Sequence, residues 1–154
     1  MNFEDVKKRV NDQIGFHKDY PGGTSMGLGR EYVSHENSCT RGTVFAGILD
    51  TDGRILAYHF NTQINFSCTG EIEKCGCVHA EILLLTGLVH ITNLNGRYII
   101  VSTLPCPTCA AVICSFISRI GLYKFKGTLY IEDCDRYSRT KEIFAISKIP
   151  LIKI

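Results

Sequence analysis

The first 14 residues place apolar side chains three and four positions apart. Phe3, Val6, Val10 and Ile14 fall on one side of a helix from Phe3 to Ile14, with Asn2 as N-cap and Gly15 as stop. The stretch from Tyr20 to Gly29 is too rich in glycine for regular structure, and a short helix fits Arg30 to Ser34. From Thr43 the pattern changes. Thr43 to Leu49 has the near-continuous apolar character of a buried strand, Asp50 to Gly53 supplies a turn, and Arg54 to Phe60 returns as the second arm of a hairpin. A cysteine-rich loop runs from Asn61 to Cys77. Val78 to Leu88 and Cys106 to Ile117 read as helices, with a strand from Tyr98 to Ser102 between them. A strand from Leu129 to Ile131, a helix from Ser138 to Ile146 and a strand from Leu151 to Lys153 complete the pattern. A hairpin followed by alternating helix and strand predicts an α/β chain, with a mixed sheet and helices on its faces.

Composition narrows the function. The chain has 154 residues, 45% of them hydrophobic, and neither repeats nor low-complexity tracts. It suits one domain over residues 1–154, with residues 1–35 given no role by any motif. Seventeen Lys and Arg against 15 Asp and Glu leave a net charge of +2. That is a weak electrostatic footprint for nucleic acid. No apolar run approaches the ~20 residues of a membrane helix, and Met1 to Lys8 lacks the apolar core of an export signal. A cytoplasmic protein with no membrane partner is therefore expected. Eight cysteines in such a chain change the picture, because in a reducing compartment they point to metal binding or catalysis rather than to structural disulfides.

Two motifs carry that chemistry: His79-Ala80-Glu81 at one helix start and Pro105-Cys106-Pro107-Thr108-Cys109 at the next. Cys106 and Cys109 lie three apart, on one face of a first helical turn. With His79 they make a three-ligand set, the number that catalytic zinc sites keep while leaving room for a water. Helix N-termini also favour the thiolate forms that bind metal. Two thiolates formally cancel the zinc charge, so the water is less acidified and needs a base beside it. Glu81, two residues from His79 and left over once the ligands are assigned, fits that task. A zinc-activated water with a proton shuttle suits hydrolytic attack on an amidine-like ring carbon, with loss of ammonia. Alone, the first motif is an ordinary helix start and the second a zinc knuckle or redox pair. Both at helix starts, with a strand between them, favour catalytic zinc.

At these residues the sequence resembles the zinc-dependent cytidine and deoxycytidylate deaminase superfamily, whose signature has this form. The resemblance runs from about Ser38 to the C-terminus and is nearest to the deoxycytidylate (dCMP) deaminases. It is carried by Ser38 to Arg41, by Phe60-Asn61, by Cys75 to Glu81, and by the run from Tyr130 to Asp133 through Pro150 to Ile152. Thr62 stands where the family has glycine, and Leu104 where it has a small or polar residue. The resemblance implies a three-layer α/β/α fold with a mixed five-stranded sheet, and deamination of dCMP to dUMP. It also implies a homo-oligomer. Asn61, the backbone of Ala80, Ser102 and Arg41 are the candidate contacts to a small nucleotide, with Arg41 facing the phosphate.

Four further cysteines, Cys39, Cys68, Cys75 and Cys77, could close a second, structural zinc site of the kind found in some deoxycytidylate deaminases. The alternative is that they are reduced thiols behaving as small hydrophobes, the reading given to Cys114 and Cys134. Competing functions are a polynucleotide deaminase, acting on tRNA adenosine or single-stranded DNA cytosine, and a nucleoside or base deaminase. A polynucleotide enzyme needs a basic channel with stacking aromatics, for which a charge of +2 and no Trp give little support. A non-catalytic zinc module would have no use for Glu81.

Overall fold

The protein, seen as a computed structural model, is described over residues 1–19, 42–63, 77–88, 97–121, 125–134 and 137–154. The first helix, α1, spans Phe3–Asp19. It continues past Gly15, because a glycine inside a helix costs only ~1 kcal/mol against alanine and does not by itself stop it. The hairpin follows as β1 (Phe45–Leu49) and β2 (Ile55–Phe60). Its turn is held by the Asp50 carboxylate, which accepts from the N–H groups of Asp52 and Arg54. The helix proposed for Arg30 to Ser34 lies outside the described residues.

The ends of the cysteine-rich loop are not irregular. Thr62–Gln63 (β3) and Cys77–Val78 (β4) pair antiparallel, Thr62 opposite Val78 and Gln63 opposite Cys77. Val78 is therefore strand, and the helix after it, α2, begins only at Ala80 and ends at Gly87. Next come β5 (Arg97–Thr103), α3 (Pro107–Ile120), β6 (Phe125–Glu132), α4 (Ser138–Ile146) and β7 (Leu151–Lys153). The last two have the predicted bounds.

Five strands form one mixed sheet in the order β2-β1-β5-β6-β7. β1 is antiparallel to both its neighbours, whereas β5, β6 and β7 run parallel. Side chains alternate across it. Phe45, Leu49, Ile100 and Leu129 pack with Val6 and Val10 of α1. Ala46, Ile48, Ile99 and Val101 pack with Leu84 of α2, Ile113 and Ile117 of α3, and Phe144 of α4. The result is three layers, α/β/α.

A bulge explains why β6 is longer than its sequence pattern. Arg97 pairs with Phe125 but Tyr98 pairs with Gly127, so Lys126 is an extra residue. Without it Phe125, Leu129 and Ile131 would share a face. With it Phe125 turns to α3, its ring centroid 5.7 Å from that of Phe116, while Leu129 and Ile131 turn to α1. Gly127 has φ +148°, and a Cβ there would stand 2.6 Å from the Pro150 carbonyl oxygen. That carbonyl accepts from Thr128 N at 2.8 Å, locking β6 to the start of β7.

Candidate active site

The strand order brings one set of chain ends to one sheet edge. β2 and β5 end there, at Phe60 and Thr103, β6 ends there at Glu132, and β1 starts there after Gly42 to Val44. Above this edge α2 and α3 present their N-termini. His79 is the N-cap of α2 and Cys106 the N-cap of α3, both with extended backbone and not in the helix proper. Pro107 at the first position of α3 loses no hydrogen bond there, since a first-turn N–H has no partner within the helix. Cys109 N instead reaches back to Cys106 Sγ at 3.4 Å.

His79 Nδ1 lies 3.3 Å from Cys109 Sγ and 3.6 Å from Cys106 Sγ. All three donor atoms are within 4.8 Å of one another. Donors bound tetrahedrally at ~2.1 Å (N) and ~2.3 Å (S) stand roughly 3.5–3.8 Å apart, so this set fits zinc. The two sulfurs are joined by a hydrogen bond. A hydrogen bond from Cys109 holds the Cys106 thiol down to about 4, with His79 assisting. Cys109 is pushed up, first by donating a hydrogen bond to the Cys106 thiolate, then by burial and by the charge of Glu81. A thiolate beside an imidazole is a suitable nest for a divalent cation, which releases the remaining thiol proton on binding.

Glu81 is 3% exposed, in the first turn of α2. Burial pushes its carboxyl above the usual carboxylate range, opposed by its own backbone N–H, by His79 and by the Cys109 thiol. It stands beside the donor set without being one of the clustered donors.

His79, Glu81 and Cys106 floor a cavity of about 330 Å³, near the lower end of the range for small-molecule sites. His79, Glu81, Cys106 and Cys77 line it from the helix side. Gly42, Thr43, Val44 and Asn61 line it from the hairpin, and Thr103, Leu104, Glu132, Cys134 and Tyr137 from β5, β6 and the start of α4. Asn61 is 9% exposed and stitches this wall together. Its Oδ1 accepts from Val44 N at 2.6 Å and its Nδ2 donates to the Gly42 carbonyl at 2.9 Å. The short β3–β4 ladder ties it to His79, one residue beyond the other strand. On the far side, Thr140 Oγ1 donates to the Pro105 carbonyl at 2.7 Å, fixing the residue before Cys106.

Other candidates fall elsewhere. Ser102 does not line the cavity; its Oγ accepts from Phe45 N at 3.0 Å, and alternation along β5 gives the cavity to Thr103 instead. Ala80, a candidate through its backbone N–H, has its methyl group in the core and opens α2 next to His79. Arg41, Cys39, Cys68 and Cys75 lie outside the described residues, whereas Cys77 is half-buried at the cavity wall. Cys114 is a packing residue, its thiol pushed up by burial. Cys134 both packs on the core and lines the cavity. Thr103, Glu132 and Tyr137 were not among the sequence candidates; Glu132 lay in the run Tyr130 to Asp133 that carries the resemblance, and the signal for the other two was that their strand and helix ends share the edge with the two motifs.

A family model, the cytidine and deoxycytidylate deaminase zinc-binding region, matches residues 26–123, well over half of the chain. No curated protein matches in sequence. Among solved structures, a dCMP deaminase from the cyanophage S-TIM5 in apo form aligns with a TM-score of 0.61 at 16% identity, covering 97% of this chain and 98% of that one. In complex with dCMP and dUMP, the same enzyme gives 0.58 at 21% identity over 76% and 85% of the two chains. A variant of NE0047 in complex with 8-azaguanine gives 0.52 at 14% identity over 97% and 75%. At such identities the likeness establishes the fold.

Proposed function

The chain belongs to the cytidine and deoxycytidylate deaminase family, and on that premise we propose that it hydrolyses dCMP to dUMP and ammonia. The observation that carries this reading is Glu81, a buried carboxyl beside the His79, Cys106 and Cys109 donors and open to the same cavity. When held by these three donors, zinc supplies a Lewis acid that lowers the pKa of a water. Glu81 takes one proton from the attacking water and passes it to the ring nitrogen, then takes the second from the new ring hydroxyl and passes it to the departing amine. Burial assists, since a carboxyl held above its usual range can return the proton it has taken. The balance is dCMP plus water giving dUMP plus ammonia. The cavity, at about 330 Å³, suits one mononucleotide rather than a strand, and a dCMP deaminase shares the fold.

One observation favours a second reading, a nucleoside or base substrate: among the described lining residues there is no Lys or Arg. Arg41 adjoins Gly42 in sequence and is the phosphate contact in the first reading. Ammonia release from dCMP, deoxycytidine, cytosine and a tRNA anticodon stem, measured side by side, separates the readings. dCMP should lead deoxycytidine in kcat/KM by at least ~100-fold, about 2.7 kcal/mol. Equal values would move the assignment to a nucleoside enzyme.

The proposal includes a second, structural zinc on Cys39, Cys68, Cys75 and Cys77. Elemental analysis should give two zinc ions per chain, falling to one in Cys75→Ser. A ratio of one that the substitution leaves unchanged would make these cysteines packing residues only.

A further inference from the structure

Two neighbouring carboxylates at the end of β6 have different surroundings. Asp133 binds Lys141 Nζ at 3.2 Å and also Lys153 Nζ, so it is neutralised by two cations on α4 and β7. Glu132 lines the cavity opposite the hairpin wall. Among the described residues its carboxylate has no ion pair or hydrogen bond, only its backbone carbonyl accepting from Leu104 N at 2.7 Å. Both lysines nearby are committed to Asp133, and no cation among the described lining residues faces Glu132.

The strand order sets where this charge sits. β6 is two strands from β1, so with ~4.8 Å between strands Glu132 stands ~10 Å across the cavity from the Gly42 to Val44 wall. We infer that Glu132 is a specificity-determining residue: its negative charge turns the phosphate-bearing end of a nucleotide away from the β6 wall and towards the wall formed by Gly42, Thr43 and Asn61. The inference rests on the nucleotide reading of this same cavity. At such a separation, with water in between, a carboxylate opposes a phosphate dianion by a several-fold factor in affinity, and salt screens the effect. Glu132 is exposed at the cavity rim; a carboxylate turned to bulk solvent would leave the ratio of nucleotide to nucleoside affinity unchanged, so the two roles can be told apart.

The test is calorimetric binding of dUMP and deoxyuridine, which are not consumed, to zinc-loaded wild type, Glu132→Gln and Glu132→Asp. The readout is the ratio of the two affinities. In Glu132→Gln the ratio should shift towards dUMP by about three- to tenfold at ~0.05 M salt, and the shift should vanish near ~1 M salt, where the Debye length is ~3 Å. Glu132→Asp, which keeps the charge, should retain the wild-type ratio. One ratio for all three proteins, or no binding of either ligand, would overturn the inference. Failure of the deaminase reading is seen separately, as absence of ammonia release by the wild type.

Discussion

On the α1 face of the sheet, Val6, Val10, Phe45, Leu49, Ile100 and Leu129 are buried, and none has a polar atom in its side chain. The face beneath α2 and α3 ends differently: at its edge lie Glu81, two hydrogen-bonded cysteine side chains and Thr140, whose hydroxyl is bound to the loop before Cys106. The first face gains stability from apolar area, ~25 cal/mol per Å². The second gives up part of that gain to hold polar groups where each must have a partner. A domain of this kind separates the two tasks by sheet face, so substitutions on one should leave the other largely untouched.

The largest expected effect tests that separation from the stable side. Phe45 is fully buried, stacked on Tyr58 at 5.5 Å and edge-on to Phe60 at 5.6 Å. Phe45→Ala should cost ~3–5 kcal/mol in denaturant unfolding, with zinc bound per folded chain unchanged. Loss of zinc in the folded fraction would show that the two faces are not independent. A smaller effect is expected at their junction. Thr140→Val keeps the shape but strips the Pro105 carbonyl of its buried donor, costing ~1–3 kcal/mol. Because Pro105 precedes Cys106, zinc affinity should also fall, as followed by competition with a chelator. An unfolding loss without any change in zinc affinity would reduce Thr140 to a packing role.

How far the sequence disclosed each face follows from the range of the interactions involved. α4 and β7 were legible to the residue because local pattern alone bounds them. The start of β6 was hidden, since the bulge at Lys126 breaks the alternation that marks a strand. The cluster of His79, Cys106 and Cys109 was legible because its members, like Glu81, sit in two short motifs. Asn61 was expected as a substrate contact; it lines the cavity, and its amide turns to Gly42 and Val44, partners 19 and 17 residues away. Ser102 was expected at the site; its hydroxyl instead accepts from Phe45 N, and alternation puts Thr103 at the cavity. Glu132 lies in the run Tyr130 to Asp133 that carries the resemblance but was given no role there, and the parallel pairing of β5 with β6 brings it to the edge, whereas Tyr137 arrives as the N-cap of α4.

The central claim is that Glu81 moves protons for a metal it does not bind. Its most direct test is Glu81→Gln, assayed for zinc content and for ammonia release from dCMP on the same preparation. Zinc per chain should equal that of the wild type, while the rate falls by about a thousandfold or more, within the ~10²–10⁴ attributed to general acid–base catalysis. Near-wild-type turnover, or loss of the catalytic zinc with the carboxylate, would contradict it.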